Sequence, residues 1–263
     1  MRLLYKNDRF RKYLMFARAI FFLKIQRKEI IELNLASNND VTANTIETNK
    51  RRVLKKSKLS EQAPHPRAKY FLGIDLEHSA SKSNWIIRSL LAIPEIYQNK
   101  SKQNILIIGP RNESEIFNFY ANGFNIKNIT SMDLFSYSPL IEVGDMHNMS
   151  YEDNTFDVVY AGWVMAYSEN KAKAIRELIR VVKNKKYIAI GWSVSNASNE
   201  EIINKRGYMI GSLERYFNVN QIIELFKEYD FEIVFSAPFD KSKQNNQIIL
   251  VLQINKNSDS SIK

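Results

Sequence analysis

Residues 104–115 read Asn-Ile-Leu-Ile-Ile-Gly-Pro-Arg-Asn-Glu-Ser-Glu. An unbroken apolar run between polar neighbours suits a short strand buried on both faces of a parallel sheet. Gly109 then lets the backbone approach a ligand closely. The loop opens a helical segment over about 113–122, and Gly123 stops it. The unpaired N–H groups at such a helix start attract a carboxylate or phosphate. Glu113 and Glu115 read equally well as simple complements to the helix dipole.

The alternation continues downstream. Asn128–Leu134 predicts a second strand, Leu140–Val143 a short third, Phe156–Ala161 a fourth and Tyr187–Trp192 a fifth. Ser168–Val182 predicts a helix with Ala172, Ile175, Leu178 and Ile179 on one face. A helix over about 219–229 precedes strands at Phe231–Ala237 and Gln247–Ile254. The loop of roughly ten residues between those two strands is too short for a parallel crossover, so they pair antiparallel. Upstream, a helix covers about 83–98. The expected fold is α/β: a doubly wound, mostly parallel sheet with helices on both faces and a C-terminal antiparallel hairpin.

Ligands in such sheets bind at the carboxyl ends of the strands, near the reversal of strand order. Three loops therefore matter. The first is Gly109–Glu115. The second holds Asp133, whose carboxylate can accept two hydrogen bonds from ribose hydroxyls. The third, Val143–Met149, offers Asp145 as an acceptor for an adenine amino group and Met146 as an apolar surface beside the ring.

From Ile105 to Ser193 the chain resembles the class I S-adenosylmethionine-dependent methyltransferases. The stretch Gly144–Tyr160 (GDMHNMSYEDNTFDVVY) and the helix end Ala174–Lys183 (AIRELIRVVK) carry the resemblance. They are similar to the family's acidic site after the third strand, its Phe-Asp-x-Val strand and its Glu-Leu-x-Arg-Val-x-Lys helix end. The resemblance implies a seven-stranded Rossmann-like sheet and S-adenosyl-L-methionine as cofactor. It implies that Gly109, Pro110, Arg111, Asn112 and Glu113 face the methionine part. Asp133, with Leu134 beside it, would hold the ribose diol. Asp145 and Met146 would bracket the adenine, and Gly162 and Trp163 would border the methyl-transfer site. The family's usual first loop is Gly-x-Gly-x-Gly. This chain is instead similar to a variant group reading Gly-Pro-Arg-Asn-Glu-Gly-Glu, with Ser114 where that group has glycine.

Methyl transfer from a sulfonium needs alignment and exclusion of water, with a base only when the acceptor is protonated. His147 and Tyr167 are candidates for that role. Tyr160, Trp163 and Tyr167 are candidates for lining an acceptor pocket, and each also reads as ordinary packing. The chain has no cysteine, which excludes disulfides, thiolate metal sites and a covalent Cys adduct. No metal site is visible. After the fourth strand stands Tyr160-Ala161-Gly162-Trp163-Val164-Met165, not an Asn/Asp-Pro-Pro-aromatic run, which disfavours methylation of base amino groups. The first loop lacks the glycines a dinucleotide pyrophosphate needs, which disfavours a nicotinamide dehydrogenase.

Composition divides the 263-residue chain in two. It is 44% hydrophobic and 25% charged, with a net charge of +10, a globular profile. Residues 1–70 hold 17 of the 38 Lys+Arg and 6 of the 28 Asp+Glu, so the basic excess lies there and residues 71–263 are near neutral. Residues 8–33 predict a helix, with Phe10, Leu14, Ala17, Phe21 and Ile25 at helical spacing among basic residues. It reads as a membrane-surface helix, as a lid, or as a packed helix with a solvated rim. Ala36–Asn49 reads as a flexible link, and Lys50–Lys56 as a basic run. No apolar stretch approaches the roughly 20 residues of a membrane span. Arg18 interrupts any signal-peptide core, so the expected location is the cytoplasm.

The expected function is methyl transfer to an oxygen or nitrogen of a small-molecule, glycan- or lipid-linked acceptor. Two alternatives stand beside it: a catalytically degenerate binding protein of the same fold, and an RNA methyltransferase guided by the basic arm.

Overall fold

The computed structural model describes residues 31–32, 76–110, 113–136, 140–195, 197–206, 215–237 and 245–256. Seven strands form one sheet: β1 (Ile105–Ile108), β2 (Ile129–Asp133), β3 (Glu142–Val143), β4 (Phe156–Gly162), β5 (Val182–Ser195), β6 (Asp230–Ser236) and β7 (Asn245–Asn255). Their spatial order is β3-β2-β1-β4-β5-β7-β6. The first five are parallel to their neighbours, and β7 runs antiparallel between β5 and β6. Strand order reverses between β1 and β4, the switch point where this class of sheet binds ligands.

Alternation along the central strands builds two cores. Leu106 and Ile108 of β1 and Val159 and Ala161 of β4 pack with Ala174, Ile175, Leu178 and Val181 of helix α4 (Lys171–Val181). The residues between them, Ile105, Ile107, Val158 and Tyr160, pack on the other face. There they meet Ile86, Ile87 and Leu90 of α1 (Leu76–Leu91), Ile96 of α2 (Pro94–Asn99) and Ile116 and Phe119 of α3 (Ser114–Ala121). Each of these large aliphatic side chains contributes about 1.5–3 kcal/mol by leaving water. The expectation of a strand buried on both faces holds for all four residues of β1.

Several expected elements differ in extent. The helix expected over 83–98 is two, because Pro94 lacks an N–H and Ile93 before it is extended, at ψ 117°. On α4, Ala174 is buried where Ala172 was expected, and Ala172 is exposed. Strand β5 runs well past Tyr187–Trp192 at both ends: Val182 pairs with Phe156 of β4, and Asn245–Ile254 of β7 pair with it from Lys186 to Ser195. Two further helices are α5 (Asn199–Arg206) and α6 (Val219–Glu224). The first was not anticipated, and the second ends earlier than the expected 229. Residues Ile31–Glu32 form a short antiparallel pair with Phe135–Ser136 and do not end a helix. The β-branched Ile31 favours that extended backbone. The remainder of the helix expected over 8–33, the link and the basic run lie outside the described residues.

Candidate functional site

Strands β1, β2, β3 and β4 deliver four loops to one edge of the sheet, and backbone hydrogen bonds stitch those loops together. The Gly109 N–H donates to the Met132 carbonyl at 2.8 Å, and the Gly144 N–H donates to the Asp133 carbonyl at 3.0 Å. Parallel pairing puts Asp133 beside Val143. Gly109, Asp133 and the Gly144–Met149 turn are thus consecutive along the sheet edge.

Gly109 has φ +69°, a left-handed value that favours glycine. A β-carbon there would meet Val164 Cγ2 at 2.4 Å, so the loop after β4 packs directly on the turn after β1. Pro110 is buried, and so is Glu113, at 1% exposure. Arg111 and Asn112 lie outside the described residues. Asp133 is half-buried, and its Oδ1 accepts the Leu134 N–H at 2.7 Å.

The turn after β3 holds a closed polar chain. Asp145 Oδ1 accepts from the His147 backbone N–H at 2.9 Å and meets His147 Nδ1 at 2.6 Å. His147 Nε2 lies 2.7 Å from Ser168 Oγ. The carboxylate can only accept, so Nδ1 carries a proton in this arrangement. All three side chains are buried, and Met146 packs beside them in the core. His147 is therefore engaged on both ring nitrogens.

After β4 the chain turns at Trp163, whose φ is +60°. An aromatic residue in the left-handed region stores of order 1–3 kcal/mol of strain. The indole is held on two sides: Nε1–H donates to Gln247 Oε1 of β7, and the ring lies over Gly191 of β5. Gly162 sits above the Tyr160 ring, whose hydroxyl would be 2.3 Å from a β-carbon at that position. Tyr160 itself does not line an open pocket. It is fully buried and packs edge-on against Phe119, because strand alternation turns it toward α1 and α3. Burial, with Glu115 nearby, pushes its hydroxyl pKa well up. Tyr167 is half-buried in a 3-10 turn (Met165–Tyr167).

The sheet edge thus gathers Gly109, Pro110, Glu113, Asp133, Leu134, Asp145, Met146, Gly162, Trp163 and Tyr167. Sequence reasoning missed Ser168, Val164 and Gln247. Nothing local marks them, since each contact joins segments far apart in the chain. Among the described residues no group of three or more His, Asp or Glu side chains could hold a metal ion. Among the same residues no helix is long and apolar enough to cross a membrane.

Residues 124–190, from just before β2 into β5, match the model of a methyltransferase domain family. None of the curated proteins matches the chain by sequence. The fold is similar to that of the [4+2]-cyclase SpnF, with TM-score 0.56 and 12% identity over 88% of this chain and 100% of that one. It is also similar to the N-methyltransferase NodS from Bradyrhizobium japonicum, in complex with S-adenosyl-L-homocysteine. There the TM-score is 0.51 and the identity 13%, over 81% of this chain and 100% of that one. The MccD protein gives TM-score 0.51 and 13% identity, over 65% of this chain and 96% of that one. At such identities the likeness to solved structures establishes the fold alone.

Proposed function

We propose that this chain, a member of the class I methyltransferase family, binds S-adenosylmethionine at the β1–β4 edge and moves its methyl group to an oxygen or nitrogen acceptor. The acceptor class we favour is a small molecule or a glycan- or lipid-linked group. The single observation that carries the reading is the order along the sheet edge: a left-handed Gly109 after β1, Asp133 closing β2, and Asp145-Met146 after β3.

These residues fit the group. The carboxylate of Asp133 suits a ribose diol, and Asp145 with Met146 suits an adenine. When bound, the cofactor supplies an electrophilic methyl on sulfur, which departs with the C–S electron pair left behind. The protein's task is then to hold donor and acceptor in line and dry. Trp163, fixed by Gln247 and Gly191, would wall the transfer site. Tyr167 is a second candidate wall. His147 is engaged at both ring nitrogens, which argues for a positioning role over that of a base.

The test is calorimetric titration with S-adenosylhomocysteine, with NAD as control. Binding of the first alone is expected. Asp133→Ala should weaken it roughly 5- to 150-fold, the equivalent of about 1–3 kcal/mol for lost hydrogen bonds to a charged group. Unchanged affinity in that variant would sink the site assignment.

One observation favours a second reading, a degenerate binding protein of this fold. Val164 occupies the space directly over Gly109, where the family's loop faces its cofactor. Absence of heat and of any thermal shift with S-adenosylhomocysteine would move that reading to the front.

A further inference from the structure

Three buried polar side chains, Asp145, His147 and Ser168, form a chain that the transfer itself does not use. We propose that His147 is a positioning residue which, braced by Ser168, fixes the Asp145 carboxylate and thereby sets a preference for adenine over a base lacking the 6-amino group. The inference rests on the cofactor reading above.

A carboxylate at a strand-end turn has rotational freedom unless something removes it. Here His147 removes it. Asp145 Oδ1 receives the His147 backbone N–H at 2.9 Å and its Nδ1 at 2.6 Å. The imidazole cannot turn either, because Nε2 meets Ser168 Oγ at 2.7 Å and the ring is 3% exposed. Ser168 is fixed in turn. It is fully buried just ahead of α4, and its carbonyl accepts from Lys171 Nζ at 3.0 Å. Lys171 is itself 3% exposed, with its ammonium 5.2 Å from the centre of the Tyr216 ring. The brace thus runs from the turn after β3 to the start of α4 and on to the segment before α6.

Orientation matters because a carboxylate only accepts. A 6-amino group donates to it, whereas a 6-oxo group presents a second acceptor. A site built to hydrogen-bond one partner rejects the analogue that cannot return the bond. That rejection is sharp only while the carboxylate is held. A loosened Asp145 can turn away from the wrong base, and the penalty falls.

The experiment measures two affinities on the full chain: S-adenosylhomocysteine and its 6-oxo analogue, S-inosylhomocysteine. The readout is their ratio, with the melting temperature recorded for every variant. The wild type should prefer the adenine compound. His147→Ala should reduce that preference by about fivefold or more, the scale of one charge-assisted hydrogen bond. His147→Asn, whose side-chain amide can stand in for Nδ1–H, should recover part of it. Ser168→Ala removes only the brace and should lower the ratio by a smaller factor. It decides the matter alone if His147→Ala fails to fold. A merely structural histidine would change the melting temperature and leave the ratio intact, and that result would overturn the proposal. A wild type that binds both compounds equally would overturn it while leaving the cofactor reading standing. A wild type that binds neither would bring down both.

Discussion

A β-carbon at Gly109 would lie 2.4 Å from Val164 Cγ2 and 2.8 Å from its Cβ, while φ +69° penalises any L side chain on its own account. The two costs are separable. Gly109→Ala should destabilise the protein by about 2–4 kcal/mol, roughly 1–2 from the left-handed backbone and the rest from overpacking. Adding Val164→Ala removes the Cγ2 clash but keeps a Cβ at 2.8 Å and leaves the backbone cost, so the double variant should regain only part of the overpacking loss, net of the cavity that the new alanine opens. Urea unfolding of the four-member cycle checks this; additive effects would show that Val164 yields without cost. Gly109 was legible from sequence as a turn glycine after an apolar run. Its partner was not, because Val164 follows a strand that neighbours β1 in space but not in the chain. Trp163 is a similar case. Its indole is named by its place after β4, but its left-handed backbone is visible only once Gln247 and Gly191 are seen to hold the ring.

At the scale of elements, the last turns of α4 hold the segment that follows the Asp145 turn. Arg180 donates to the Tyr151 carbonyl at 2.7 Å and the Met149 carbonyl at 2.9 Å, and pairs with Glu177 through Nε at 2.7 Å. Glu177 in turn accepts the Met149 N–H at 2.7 Å. The planar fork of a guanidinium serves two carbonyls and a carboxylate together, which a lysine cannot. Arg180→Ala should therefore cost about 2–4 kcal/mol, and Arg180→Lys should recover little of it in the same denaturation assay. Asp153 also meets Arg180 but is exposed, and its contribution is small. The Glu177 carboxyl gives this cluster a pH signature. Burial pushes its pKa up, yet the Arg180 hydrogen bond and charge and the Met149 N–H hold it below the ordinary 4.5. A folded pKa below the unfolded one adds stability above the unfolded value and loses it as pH falls through the depressed one. The stability gap between wild type and Glu177→Gln should thus shrink as pH is lowered below about 4.5. A gap independent of pH would contradict the assignment. The Glu-Leu-x-Arg pattern was legible, and so were β1 and β4, whose side chains are apolar on both faces. The far ends of β5 were not, since polar Lys183–Lys186 reads as a loop until Phe156 of β4 is seen to pair with Val182 and Ile254 of β7 with Lys186. Helix α5 announced itself through Ser198 and Glu201, which form reciprocal cap bonds of 3.1 and 2.7 Å. That Ser-x-x-Glu spacing was readable in sequence and went unread.

Over the whole molecule, charge and architecture are divided unequally. The sheet and the proposed site lie in the near-neutral residues 71–263, and the basic excess lies in residues 1–70. That first segment is the place to test for affinity to a polyanion, since the near-neutral body supplies no net field. The run Lys50, Arg51, Arg52, Lys55, Lys56 and Lys58 is its densest part. Replacing those six with glutamine in the full chain separates the RNA-guided reading from that of a solvated charge run. If the arm guides the enzyme onto RNA, log Kd against log salt should be steep in the wild type and flatter in the variant. The slope should fall by up to about 4, at roughly 0.7 per neutralised single-strand phosphate contact. Affinity for S-adenosylhomocysteine should stay the same in both proteins, because Gly109, Asp133 and Asp145 are untouched. We expect weak, shallow binding in both, because the run contains no aromatic side chain on which a base could stack. A steep slope in the wild type would reverse that expectation and make RNA the acceptor to pursue.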